Sequence, residues 1–274
     1  MKKNSPIVVF DSGVGSYSVV KVLRKTLPNE NIVYLADRIS FPYGTKTHDE
    51  LKDNILSRIK WLEKKYGPKL ILIASNTPSI QVLNEIKPLV NTPLLGVYPP
   101  IEKAAKTTKN KLIGILATKG AVMSPEINEF ISKKNLPKDI RFIKINASSL
   151  VALVEPGTFQ TDKLQTENII KKTLDSIIAQ NPDIDVMTLS STHLPFLKEY
   201  LEKLYSQITF LDPAETVAQE IYQYLKSKDT LNDSNGSLSI ITTIDQKKGL
   251  TAEGLRLILS KLGLQTEVKT VYIK

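Results

Sequence analysis

The sequence predicts an α/β fold with mainly parallel sheets. Two observations carry this reading. Short apolar, β-branched runs alternate along the chain with longer amphipathic stretches, and several of the apolar runs end in clusters of small polar residues. Strand, helix, strand is the order a parallel sheet demands, because each parallel connection must cross back over the sheet before the next strand starts.

The strand candidates are IVVF at 7–10, IVYLA at 32–36, LILIA at 70–74, LIGIL at 112–116, FIKI at 142–145 and VMTL at 186–189. Helix-length segments lie between them, at 48–65, 161–179 and 213–226. Two passages break the rhythm. The run TPLLGVYPPIEKA after Asn91 carries three prolines and a glycine, and 208–213 is aperiodic. Taken as crossings, they divide the chain into one α/β domain at 1–97 plus 210–274 and a second inserted at 98–209. The polar stretch SKDTLNDSNGS at 227–237 reads as a loop, and no repeat of solenoid period is present.

With 274 residues and 41% apolar content, the chain can bury a substantial core. The start, MKKN followed by IVVF, is far short of a signal-peptide core, and no window approaches about 18 consecutive apolar residues, so a cytoplasmic protein with no membrane association is expected. The net charge of +9 would favour nucleic acid if it were gathered on one face. It is not gathered. Lys64-Lys65, Lys133-Lys134, Lys171-Lys172 and Lys247-Lys248 are scattered pairs without interleaved aromatics, which reads as solvated helix surface. The chain has no cysteine, which removes disulfides, thiolate metal sites and thiol catalysis together.

Ligands of open α/β sheets bind beyond the carboxyl ends of strands, where loops meet helix N-termini. Four motifs occupy such places. Asp11-Ser12-Gly13-Val14-Gly15 follows IVVF; a dinucleotide fingerprint would need a third glycine at position 18, where the chain has Ser18, so a turn with a capping side chain competes with a binding loop. Phe41-Pro42-Tyr43-Gly44-Thr45 follows the second strand and offers a phenol and an exposed amide on a pre-organised turn. Ser75-Asn76-Thr77 follows LILIA and opens a helix expected to run through Leu83; its small polar residues suit an N-cap as well as a ligand. Ser191-Thr192-His193 follows VMTLS. His193 is one of two histidines; the other, His48, reads as the start of a surface helix.

Taken together and in this order, DSGVG, FPYGT, SNT and STHLP resemble the motifs of glutamate racemases, within the wider aspartate/glutamate racemase superfamily. The similarity continues through GVYPPIEKA, IGILATKGAV, LVEPG at 153–157, LDPAETVA at 211–218 and a terminal strand-helix-strand piece containing ITTIDQ, so it spans nearly the whole chain. The resemblance implies two flavodoxin-like domains holding a small acidic amino acid in the cleft between them, no cofactor and no metal, and a homodimer as the assembly. It also implies two-base chemistry, in which one thiolate removes the α-proton and a thiol on the opposite face returns one.

Carried across residue by residue, the resemblance puts Ser75 and Ser191 where the two catalytic cysteines stand. Asp11 and His193 match groups that assist proton transfer, and Glu155 matches a carboxylate near the second side. Ser12, Pro42, Tyr43, Gly44, Asn76, Thr77, Thr118 and Thr192 match positions that hold the amino acid. The chain departs from the pattern at Ser16 and Ser190, where the family usually has glycine, and at Pro78 after SNT.

Abstracting a weakly acidic α-proton needs a base that can be populated near neutrality. A thiol, with pKa about 8.5, can be tuned to that range; a hydroxyl resembles water, at about 15.7, and the gap of roughly 7 units corresponds to about 10 kcal/mol. The sequence thus predicts a racemase-type cleft with little thiol-type racemisation. Three alternatives stand beside it. One is a genuine racemase, either an engineered thiol-free form or one that uses serine with Asp11 and His193 as bases. Another is a serine-dependent acyl or carboxyl enzyme with His193 as base and Asp11 as its orienter, although no G-x-S-x-G elbow is present. The last is an interaction protein with a vestigial cleft.

Overall fold

A computed structural model describes residues 2–245 and 251–273. Lys247-Lys248 and the final residue of ITTIDQ lie outside the described residues. The chain forms two compact units, Met1–Val97 with Ala214–Lys274, and Tyr98–Pro213.

The first unit contains β1 (Ile7–Asp11), α1 (Tyr17–Thr26), β2 (Ile32–Asp37), α2 (His48–Tyr66), β3 (Leu70–Ile73), α3 (Asn76–Gln81), α4 (Leu83–Ile86) and β4 (Leu94–Gly96). The second contains α5 (Ile101–Thr107), β5 (Leu112–Ala117), α6 (Lys119–Met123), α7 (Pro125–Ser132), β6 (Arg141–Asn146), α8 (Ser148–Val154), α9 (Thr158–Thr161), α10 (Lys163–Gln180), β7 (Ile184–Leu189), α11 (Lys198–Leu204) and β8 (Thr209–Leu211). The chain then returns to the first unit with α12 (Ala214–Ser227), β9 (Leu238–Thr243), α13 (Ala252–Lys261) and β10 (Val268–Thr270).

Among the described residues the strands pair in parallel, in a six-stranded sheet of order β10-β9-β2-β1-β3-β4 and a four-stranded sheet of order β6-β5-β7-β8. The fold is therefore α/β with parallel sheets. Strands β1, β2, β3 and β5 are buried throughout, which is why they read as unbroken apolar runs. Strand β6 lies at a sheet edge and accordingly carries the exposed Arg141 and Lys144.

Three expectations about elements need correction. The two passages read as crossings also each contain a three-residue edge strand, β4 and β8; neither is long enough to show a period, with Pro93 and Pro99 around the first and Pro213 after the second. The helix expected from Ser75 through Leu83 breaks at Val82, whose φ of −125° and ψ of −12° separate α3 from α4. The helix expected at 161–179 starts two residues later, as α10, its start fixed by the Asp162 carboxylate accepting from the Gln165 N–H at 2.9 Å, and the short α9 precedes it.

Local chemistry fixes where α2 begins, and with it the end of the FPYGT loop. Thr47 and Glu50 form a reciprocal capping box, with Glu50 N–H donating to Thr47 Oγ1 at 3.3 Å and Thr47 N–H donating to Glu50 Oε2 at 2.9 Å. The helix ends on Gly67 in the left-handed region, at φ 52°. At the opposite edge of the same sheet, fully buried Lys69 donates to the Lys3 and Thr230 carbonyls at 2.6 and 2.8 Å and pairs with Glu30 at 2.5 Å. That cation ties three distant segments together through two hydrogen bonds and an ion pair.

Candidate functional site

The carboxyl edge of the first sheet gathers the polar residues of three motifs. Asp11 ends β1 in register with Ala36 of β2, and the Ala74 N–H donates to the Phe10 carbonyl at 2.9 Å, so the start of the Ser75-Asn76-Thr77 segment lies beside Asp11. Asp11, Ser12, Asn76, Thr77 and Tyr43 are all buried, Ser75 and Gly44 are half-buried, and Pro42 is exposed. The Asp11 carboxylate accepts from the Ser12 N–H at 2.6 Å.

The capping alternative for this edge fails on the structure. Ser75 occupies the N-cap of α3 in an extended conformation, yet its side chain makes no capping hydrogen bond. Beside it, both amide atoms of Asn76 are buried with no hydrogen-bond partner, although the residue is only 3% exposed. A buried amide without partners costs on the order of 1–3 kcal/mol, so the fold alone gives no reason for it. Pro78 sits in the first turn of α3, where its missing N–H has no intrahelical acceptor to lose.

Tyr43 is held from beneath by a buried ionic network that sequence reasoning missed. Arg58 Nε donates to Asp37 Oδ2 at 2.9 Å, Thr243 Oγ1 donates to Asp37 Oδ1 at 3.0 Å, and the Tyr43 hydroxyl reaches Asp37 Oδ2 at 3.5 Å. Burial, then the Asp37 and Asp11 charges, push the Tyr43 phenol well above its ordinary value of 10.0. The phenol therefore acts as a neutral hydrogen-bonding group, not as a base. The only advance signal was an arginine inside a helix that otherwise reads as solvated.

The second unit presents a matching edge. Thr118 follows β5 and caps α6 through the Ala121 N–H at 3.3 Å, while the Ser190 N–H donates to the Leu116 carbonyl at 2.8 Å and brings the Ser191-Thr192-His193 segment beside it. His193 Nε2 lies 2.7 Å from Glu155 Oε2, with both side chains buried. In the serine-enzyme alternative the orienting carboxylate was Asp11; the carboxylate hydrogen-bonded to His193 is Glu155. Ser191 and Thr192 are likewise buried.

The chain's extra hydroxyls are consumed locally. Ser16 Oγ donates to the Tyr34 hydroxyl at 3.1 Å, which donates in turn to the Gly13 carbonyl at 3.1 Å. Ser190 Oγ pairs with Thr188 Oγ1 at 2.8 Å. Both departures brace their own loops. No cluster of three or more metal-ligating side chains occurs among the described residues, and no helix there is long and apolar enough to cross a membrane.

Comparison with known proteins identifies the family. Residues 14–221 match the family described as Asp/Glu/Hydantoin racemase. A glutamate racemase of Buchnera aphidicola is 33% identical over 224 residues, covering 81% of this chain and 86% of that protein. The chain belongs to the Asp/Glu/Hydantoin racemase family.

Solved racemase structures agree over the full length. A glutamate racemase isoform from Bacillus anthracis superposes with a TM-score of 0.85 at 27% identity, covering 99% of this chain and 98% of that one. The enzyme from Francisella tularensis, in complex with D-glutamate, gives a TM-score of 0.82 at 26% identity and covers 99% of each chain. For a member of this family the cysteine count of zero is the outstanding chemical fact.

Proposed function

We propose that this protein binds glutamate or a close acidic analogue through its strand-end groups, and that hydroxyls at Ser75 and Ser191 leave it with little two-base racemisation. The observation that carries the binding half is Asn76, whose buried amide is left unpartnered by the fold immediately after Ser75. A ligand carrying both ammonium and carboxylate groups complements an amide that offers two donors and an acceptor. The glutamate racemases among its relatives, one of them solved with D-glutamate, supply the ligand class.

In this reading Ser12, Tyr43, Gly44, Asn76 and Thr77 are the binding groups of the first unit, with Asp11 assisting proton transfer. Thr118 and Thr192 are the binding groups of the second, where Glu155 orients His193. The chemical half rests on magnitude. Replacing a thiol base by a hydroxyl raises the cost of forming the base by about 10 kcal/mol, whereas a well-placed general base contributes about 10²–10⁴-fold, or roughly 3–5 kcal/mol. Asp11 and His193 therefore recover less than the hydroxyls lose.

Titration calorimetry with D- and L-glutamate tests the binding half. Saturable binding that falls at least about tenfold in Asn76→Ala is the expected outcome. Absence of binding to either enantiomer removes glutamate as the ligand.

A further inference from the structure

Ser79 lies one helical turn beyond Ser75, and its hydroxyl is almost fully buried, at 1% exposure. It grips the backbone at position 75 twice. Its Oγ donates to the Ser75 carbonyl at 2.6 Å, and its own N–H donates to the same oxygen at 3.2 Å. The Ile73 carbonyl lies 3.2 Å from the same Oγ, and the Val97 N–H donates into Oγ at 3.0 Å. One hydroxyl thus joins the end of β3, the residue at the head of α3 and the residue that follows β4.

The neighbouring strand is built to leave room for that hydroxyl. A Cβ at Gly96 would stand 2.6 Å from Ser79 Oγ and 2.7 Å from Leu83 Cδ2, so a side chain there would displace the hydroxyl from its three partners. A serine bonding back to the carbonyl four residues earlier is ordinary in a helix. Here it also accepts from a second strand, and the carbonyl it holds belongs to the residue the family uses as a base.

We infer that Ser79 is a positioning residue for position 75: it fixes the peptide of that residue against β4 and so sets the direction of its side chain without touching the ligand. The inference rests on the proposed reading of position 75 as the base position, and its test separates the two. Because the chain has no cysteine, Ser75→Cys and Ser191→Cys each introduce a single thiol, which can be alkylated with iodoacetamide without background.

Adding Ser79→Ala is expected to change the alkylation rate at position 75 by about threefold or more at about pH 8, with less than about twofold change at position 191. Gly96→Ala, which removes no polar atom, is expected to act in the same direction, and it carries the test if Ser79→Ala does not fold. In Ser75→Cys/Ser191→Cys, Ser79→Ala should lower kcat about tenfold with KM held within about twofold. The primary isotope effect should then rise for one enantiomer of α-deuterated glutamate only.

Equal changes at the two thiols, or none at position 75 in a folded protein, would overturn the role of Ser79. If the double-cysteine protein does not process glutamate at all, the functional reading fails, and the alkylation comparison alone decides the role of Ser79.

Discussion

The Nε2 of His193 sits 2.7 Å from Oε2 of Glu155, one residue past the end of α8, and both are buried. A buried imidazole next to a buried carboxylate is held in one orientation, which is what a group acting at one face of an amino acid needs. Removing the carboxylate in Glu155→Ala leaves the ring buried with one hydrogen bond fewer, and stability should fall by about 1–3 kcal/mol. Urea denaturation measures this, and an unchanged midpoint would mean that the pair contributes nothing to the fold.

The Arg58–Asp37 pair makes a sharper prediction. Both side chains are buried, at 8% and 0% exposure, and Asp37 also supports Tyr43 and Thr243. Arg58→Met strands a buried carboxylate, and should cost about 3–5 kcal/mol. Adding Asp37→Asn to that variant should recover part of the loss, because the stranded charge is gone. A double variant no better than Arg58→Met would show that Asp37 stays comfortable without its cation.

Tyr43 predicts how stability changes in alkali. Its phenol is raised well above 10.0 in the folded protein, so the folded state holds that proton more tightly than the unfolded chain does. The contribution is fully present below about pH 10 and is lost as pH rises from there toward the folded value. Tyr205, raised by burial and by its bond to Asp175, adds to the same decline. Stability followed by denaturant titration should therefore fall above about pH 10, and less steeply in Tyr43→Phe. Identical slopes would place the Tyr43 hydroxyl in a far less buried setting than the structure gives it.

Much of this was legible in the sequence, for physical reasons. Strands buried on both faces show as unbroken apolar runs, and IVVF, LILIA and LIGIL announced themselves that way. Edge strands β4 and β8 did not, because three residues carry no period and prolines hid them. Strand-end motifs located the polar groups at the carboxyl edge of each sheet. Pairings across long separations were invisible: Glu155 with His193, and Arg58 with Asp37, are made by packing alone. The idle hydroxyl of Ser75 and the orphaned amide of Asn76 were equally hidden, since capping and binding call for the same residue types.

In the proposed reading, two hydroxyls stand in for two thiols in an otherwise racemase-like protein. Proton NMR in D2O, following loss of the α-proton signal of D- and of L-glutamate, addresses it most directly when the protein is compared with Ser75→Cys/Ser191→Cys. The expected result is line broadening from binding with both proteins, and α-proton exchange at an enzymatic rate with the double-cysteine protein alone. Exchange by the unaltered protein at a comparable rate would contradict the claim and make Ser75 and Ser191, with Asp11 and His193, a working base pair.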